Sequence, residues 1–246
     1  MEPIAVSVIN ASDAVSDAEC SALTDALQIQ VSRDFAPAWH IDAKLTFVPK
    51  LRKPPAGTWW LSILDNTDRA RVLGHHDLSP DGLPIGKSFA GTDKHYGYQW
   101  TVTASHELLE MLVNPDVNLT VHVYAAQGNG SFYAYEVCDP CEDDEYAYDI
   151  GTIKVCNFVY PAYFQTFRTE GSTRFDHGNR LTKPVPAILP AGYISAYDMT
   201  GAGDWQQLTD ATAGRSTRVS EAGRASSRRD RRSRPRTEWV CSTAFT

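Results

Sequence analysis

A mostly apolar segment that contains three ionisable side chains constrains this chain more than any other feature of its sequence. When "TVTASHELLEMLV" (101–113) is wound as a helix, apolar side chains surround most of its axis. Such a helix is buried, and a His and two Glu on it are costly unless they are paired or bind a metal. The sequence predicts a buried helix from about 101 to 114 in which His106, Glu107 and Glu110 are paired or take part in a metal site.

The spacing of these three side chains favours a metal site. His106 and Glu110 are four residues apart, so they share one face of a helix and can bind one metal ion together. Glu107 points about 100° away around the axis, since an α-helix has about 3.6 residues per turn. The alternative is a surface helix on which the His and both Glu are solvated.

The motif is a variant of H-E-x-x-H, in which two His bind zinc and the Glu takes a proton from the water that the metal activates. Here Glu110 stands in place of the second His. A carboxylate makes the ligand set harder and more anionic. That change predicts either weaker selectivity for zinc or a site that binds metal without cleaving anything.

The chain resembles the zincin metallopeptidase fold over roughly residues 4–165. The likeness rests on the motif and on the order strand, long helix, strand, strand, edge strand and H-E-x-x helix, with "PIGKSFA" (84–90) as the edge strand. The blocks "SHELLEMLVNP", "YEVCDPCE" and "FVYPAYF" also look like those of an uncharacterised bacterial and phage group of zincin-like proteins. The resemblance implies a zinc-dependent peptidase in which Glu107 is the general base and the edge strand holds extended substrate.

The resemblance also implies a third metal ligand downstream of the helix. In the glutamate-type zincins this ligand is a Glu followed shortly by an Asp that orients a metal-bound His, and Glu136 and Asp139 offer such a pair. Glu136 is therefore predicted as the third ligand, with a strand residue facing solvent as the alternative reading. The competing ligands are His122, Asp139 and the pair His75-His76.

A donor that stabilises the transition-state oxyanion is also expected, commonly a Tyr or His. Tyr160, Tyr163 and His177 are available, and the residues alone leave the choice among them open. Tyr160 is retained as the catalytic candidate beside Glu107.

The predicted fold class is α+β. A zincin-like mixed sheet with a backing helix and an active-site helix is followed by a strand- and loop-rich C-terminal half. Three parts are expected: an N-terminal subdomain (1–115), a strand-rich subdomain that completes the metal site (116–210), and a basic tail (211–246).

Charge separates the tail from the body. Residues 213–246 hold nine Arg and three acidic residues, a net charge of +6, whereas residues 1–212 hold 14 basic and 27 acidic residues, a net charge of −13. The tail has too few apolar residues to form a core, so we expect it to be disordered or held by a partner, either nucleic acid or another protein.

The sequence has no apolar run of about 18 residues, and its start lacks the pattern of an export signal. A cytoplasmic or phage-associated protein without a membrane span is therefore expected. A second class of function stays open: a non-catalytic binding or structural protein, such as a phage virion component. We interpret Cys138 and Cys141 as ordinary thiols, with a disulfide or metal role as the alternative. The segment "CDPCEDDEYAYD" (138–149) is interpreted as a solvated acidic loop, with a calcium site as the alternative.

Overall fold

The computed structural model describes residues 3–67, 73–79, 81–125, 128–199 and 205–209. Within them the chain is a mixed α+β protein with several sheets. The predicted basic tail, 211–246, lies outside the described residues, so its expected disorder and its partners remain predictions.

A five-stranded mixed sheet forms the first half of the described chain. Its strands are β1 (Ile4–Asn10), β2 (Ala43–Val48), β3 (Trp59–Leu64), β4 (Gly74–Leu78) and β5 (Pro84–Phe89). Their order is β2-β1-β3-β5-β4, and β4 alone in this order runs antiparallel to its neighbour.

The position of the edge strand corrects one prediction. The segment 84–90 is predicted to be the edge strand, but β5 lies between β3 and β4, and β4 is the outermost strand of the sheet on that side. The physical reason is the short connection between β4 and β5, which returns as an antiparallel hairpin and places β4 outside β5.

A helix crosses one face of this sheet between β1 and β2, as parallel neighbours require. Helix α1 (Asp17–Ile29) starts with a capping box, in which the Ser16 side chain accepts from the backbone N–H of Glu19 and the Glu19 carboxylate accepts from the N–H of Ser16. A π-helical segment (Gln30–Phe35) and the short helix α2 (Ala36–Trp39) continue it.

The predicted central helix is present and buried along its whole length. After the short helix α3 (Ala90–Tyr96), helix α4 runs from Trp100 to Val113, and each of its residues is buried. It packs against β3, β4 and β5 on one side and against β9 on the other. The predicted extent, 101 to 114, agrees with the structure to within one residue at each end.

The second half of the described chain is built from antiparallel strands, short 3-10 turns and loops. Its larger sheet has the order β11-β10-β7-β6 and a hairpin forms the smaller one; the strands are β6 (Thr120–Ala125), β7 (Gly128–Ala134), β8 (Tyr148–Ile150), β9 (Ile153–Val155), β10 (Tyr193–Asp198) and β11 (Trp205–Thr209). The 3-10 turns are Asp139–Cys141 and Pro161–Phe164.

One apolar core joins the two halves. Its buried members include Leu61 of the first sheet, Leu108 of α4 and Phe158 of the second half. Phe35 contacts Phe158 edge-on, with ring centroids 5.2 Å apart. Among the described residues, no helix is long and apolar enough to cross a membrane.

Candidate metal site

Helix α4 places the two predicted ligands on one face. The Nε2 atom of His106 lies 3.3 Å from Oε2 of Glu110, as the i and i+4 positions of a helix allow. Only 8% of His106 and 1% of Glu110 are exposed. The predicted convergence of these side chains is therefore present in the fold.

The segment after β7 brings a second group of acidic side chains to the helix. Oδ1 of Asp139, in the 3-10 turn, lies 3.3 Å from Nε2 of His106. The backbone N–H of Cys138 donates to Oε1 of Glu110 over 3.2 Å. This segment thus contacts both helix residues, one through a side chain and the other through the backbone.

Glu136 belongs to the same segment, two residues beyond the end of β7, and is buried. The residue that orients it is Asn114, which follows the last turn of α4. Its Nδ2 donates to Oε1 of Glu136 over 3.0 Å, while its Oδ1 accepts from the backbone N–H groups of Asn118 and Leu119. The sequence offered no signal for this role, because an Asn before a Pro is a common helix end.

A histidine of the edge strand completes the cluster. His76 of β4 is 1% exposed, and its Nε2 lies 3.6 Å from Oε2 of Glu136. Its Nδ1 lies 3.5 Å from Oε2 of Glu107 and 3.7 Å from Oε2 of Glu110. The sequence named His75-His76 only as a competing ligand, because the adjacency of β4 and α4 is a tertiary feature.

A glycine allows the edge strand to come this close to the helix. A Cβ atom on Gly74 would lie 2.6 Å from Oε1 of Glu107 and 2.8 Å from Cγ2 of Thr103. Both distances are too short for real contacts. Any larger residue at position 74 would therefore displace the Glu107 side chain.

These contacts define the His/carboxylate cluster, in which each member is at least nine-tenths buried: His76, His106, Glu107, Glu110, Glu136 and Asp139. The six side chains hold four carboxylates and two imidazoles. Burial opposes the charged form of His106, but the carboxylates of Glu110 and Asp139 outweigh burial and hold its pKa well above the usual value.

The cluster fits divalent metal binding. Its ligand atoms form two overlapping sets, each with atoms that all lie within 4.8 Å of one another. The first set is His106, Glu110 and Asp139; the second set is His76, Glu110 and Glu136. Ligands about 2.0–2.2 Å from a tetrahedral zinc ion lie about 3.3–3.6 Å apart, and the two His106 distances of 3.3 Å match that spacing.

The candidates for the oxyanion donor have contacts of their own. Oη of Tyr160 lies 3.1 Å from Nδ1 of His177, and the Arg174 guanidinium lies over the Tyr160 ring. Oη of Tyr163 donates to the carbonyl of Ala187 over 2.7 Å. These contacts do not choose among the three, and the role of Tyr160 stays a prediction.

The competing ligand His122 and the acidic loop make structural contacts of their own. His122 of β6 lies against the rings of Tyr124 and Phe132, with centroids 4.3 and 4.7 Å away. Asp144, in the acidic loop, accepts from the backbone N–H of Gln99 over 3.0 Å, at the residue that caps the start of α4. The loop therefore helps to hold the start of this helix.

Three cysteine thiols lie close to one another beside helix α4. Cys138, Cys141 and Cys156 are buried and free. The sulfur atoms of Cys138 and Cys156 are 3.5 Å apart, and the Oγ atom of Ser105 lies 3.1 Å from Sγ of Cys156. Burial raises the pKa of the Cys138 and Cys141 thiols, so both are protonated at neutral pH and pack as small apolar groups.

No protein-family model, curated protein or solved structure matches this chain.

Proposed function

We propose that this protein is a zincin-like, metal-dependent hydrolase that acts on peptide bonds. The observation that carries the proposal is the convergence of His106, Glu110 and Asp139 in one buried set, with Glu107 on the same helix beside it. Zinc is the metal that the motif favours, and the carboxylates also suit other divalent ions.

The ligand set differs in one member from the set that the sequence favours. Asp139 lies 3.3 Å from Nε2 of His106, whereas Glu136 falls in the set that contains His76. We therefore assign Asp139 as the third residue that would hold the ion beside His106. Glu136 stays a ligand candidate in the second set.

When bound, a divalent ion lowers the pKa of a water molecule and polarises a carbonyl group. Glu107 accepts the proton of the attacking water and later returns it to the leaving amine. Its place beside the ligands but outside both sets suits a base that does not itself bind the ion. Oε2 of Glu107 lies 3.5 Å from Nδ1 of His76, so the edge strand helps to position this carboxylate.

Strand β4 is the surface that we propose binds the substrate. It is the outermost strand of the first sheet on its side, and it contacts α4. An extended peptide can add to such a strand through backbone hydrogen bonds. This arrangement would bring a peptide bond near His76 and Glu107, and it moves the proposed substrate strand from 84–90 to Gly74–Leu78.

One observation favours the alternative, a non-catalytic binding or structural protein that keeps a metal for stability. Glu110 and Glu136 are each 1% exposed, and Asp139 is fully buried. A catalytic metal needs an open position for water and substrate, whereas a structural metal is enclosed by protein ligands. The most exposed members of the cluster are His106 at 8% and Glu107 at 6%.

Metal analysis of the purified protein, followed by assay against a broad peptide library, separates the two. For the hydrolase we expect bound metal and cleavage, and Glu107→Gln should reduce cleavage by about 10²–10⁴-fold with unchanged metal content. Glu170→Gln, which alters an exposed glutamate, is the matched control and should keep full activity. Stoichiometric metal without any cleavage would favour the structural alternative, and full activity of Glu107→Gln would remove Glu107 as the base.

A further inference from the structure

We propose that the cluster binds two metal ions and that the carboxylate of Glu110 bridges them. The first ion is the one in the set His106, Glu110 and Asp139, so this inference rests on that part of the proposed function. The second ion is held by His76 and Glu136, with Glu110 as the shared ligand.

The geometry separates the two histidines. His106 contacts Glu110 and Asp139, each at 3.3 Å, while Nε2 of His76 lies 3.6 Å from Glu136. Among the described residues, the ligand sets divide in the same way, with one histidine in each. Each set therefore offers one imidazole, one carboxylate of its own and one shared carboxylate.

Glu110 is placed to bridge through one oxygen. Its Oε2 lies 3.3 Å from Nε2 of His106. In the second set, one ligand atom from each of His76, Glu110 and Glu136 lies within 4.8 Å of the other two. Its Oε1 accepts the backbone N–H of Cys138, which fixes the orientation of the carboxylate. Ions in two-metal sites are about 3.5–4 Å apart, a separation that a single carboxylate can span.

The residue type at position 110 has a consequence here. A neutral imidazole offers one lone pair to a metal, whereas a carboxylate has about four lone-pair sites on two oxygens. The glutamate that replaces the second His of the motif is thus the change that permits a shared ligand.

The charge of the cluster also favours two ions. Imidazoles bind a metal in the neutral form, so the four carboxylates would supply up to four negative charges to the cluster. One divalent ion would leave two of these charges unbalanced within this buried group, and two divalent ions would balance all four. Buried charges are costly unless they are paired or coordinate metals.

The second set has a supporting residue. Asn114 donates to Oε1 of Glu136 over 3.0 Å and is itself completely buried. A ligand carboxylate that is held by such a hydrogen bond is oriented before the metal arrives. The opposite oxygen, Oε2, is the one that lies near His76.

The test uses the full-length protein, stripped with a chelator and titrated with Mn²⁺ or Zn²⁺. We expect about two equivalents per chain by calorimetry and elemental analysis. The electron paramagnetic resonance spectrum of the Mn²⁺-loaded protein should show two exchange-coupled ions. His76→Ala and Glu136→Gln should each reduce the stoichiometry to about one and abolish the coupling, and so should His106→Ala. Glu110→Gln should weaken the binding of both ions.

His122→Ala is the matched control, because His122 of β6 packs against the rings of Tyr124 and Phe132, and this variant should keep two coupled ions. Circular dichroism checks that each variant folds, and His76→Gln replaces any His76→Ala protein that does not. The two-ion site would be overturned if the wild-type protein bound one equivalent of metal per chain and both the His76 and the His106 variants lost it. Such a result would indicate a single metal centre.

The two-ion site and the hydrolase can fail separately. Two coupled ions without cleavage of any peptide would uphold this inference and reject the hydrolase. Cleavage with a single bound ion would do the reverse.

Discussion

Nε2 of His76 lies 3.6 Å from Oε2 of Glu136, although one residue is on the edge strand β4 and the other follows β7. This contact joins the first sheet to the second half of the chain across the end of helix α4. The candidate site is therefore assembled from three separate segments, and its geometry depends on how the two halves pack.

Loss of a metal-binding side chain should remove the stabilisation that the bound metal provides. A metal ion present at 100 times its dissociation constant stabilises the folded state by about 2.7 kcal/mol. Wild-type protein should therefore melt at a higher temperature with Zn²⁺ than with a chelator, and His106→Ala should lose most of that difference. The control His95→Ala, on α3, should retain it; an equal metal-induced shift in both variants would argue against His106 as a ligand.

Gly74→Ala should disturb the proposed base, Glu107, without affecting metal binding. The added Cβ atom would lie 2.6 Å from Oε1 of Glu107, so this carboxylate must move. We expect peptide cleavage to fall by at least about tenfold, since a small displacement of a catalytic group is costly, while the metal content is unchanged.

Gly86→Ala is the comparison for this change. Its Cβ atom would meet Cδ1 of Leu61 at 3.2 Å and Cβ of Glu107 at 3.5 Å, so it leaves the Glu107 carboxylate in place. Equal activity of the Gly74→Ala and wild-type proteins would show that the position of Glu107 is not critical.

Asn114→Ala and Asn114→Asp should both weaken metal binding, although only one of them also removes the acceptor at position 114. Both remove the donor to Glu136, so both should weaken metal binding, by about 10–100-fold for loss of a supporting hydrogen bond. Asn114→Asp keeps an acceptor for the N–H groups of Asn118 and Leu119, whereas Asn114→Ala does not. Calorimetry measures the affinity, and unchanged affinity in both variants would mean that Glu136 does not bind the ion.

Ser105→Ala should destabilise the protein without removing the metal. The Ser105 hydroxyl bonds to Oε1 of Gln30 over 2.7 Å and accepts from the N–H of Cys156 over 3.1 Å, all within the interior. An unsatisfied buried polar group costs about 1–3 kcal/mol, so denaturant unfolding should show a loss of that order. Ser172→Ala, at an exposed site, should cost less than about 0.5 kcal/mol. Equal stability of the two variants would show that the hydrogen bonds of Ser105 do not stabilise the fold.

Removal of residues 211–246 should leave metal content and peptide cleavage unchanged, because every member of the cluster lies between His76 and Asp139. If the tail binds nucleic acid, the full chain should bind DNA or RNA in a salt-dependent manner, and the truncated chain should not. A truncated protein that no longer folds would show that the predicted boundary is misplaced.

The sequence by itself determined the central helix and the pairing of His106 with Glu110. Both follow from local geometry: apolar side chains around the axis predict burial, and residues four apart on a helix meet whatever surrounds them. The α+β class was predictable for the same reason, since strand alternation and helical spacing are read within short windows.

The position of Asp139 beside His106, the approach of His76 to helix α4 and the identity of the edge strand were decided only by tertiary structure. The sequence favoured Glu136 and named Asp139, His122 and His75-His76 as competing ligands. Only the fold places His76 and Asp139 against α4. The hairpin of β4 and β5 puts β4 at the edge, and Gly74 lets it approach the helix. Contacts between segments distant in sequence depend on how whole elements pack, and residue spacing along the chain does not specify that packing.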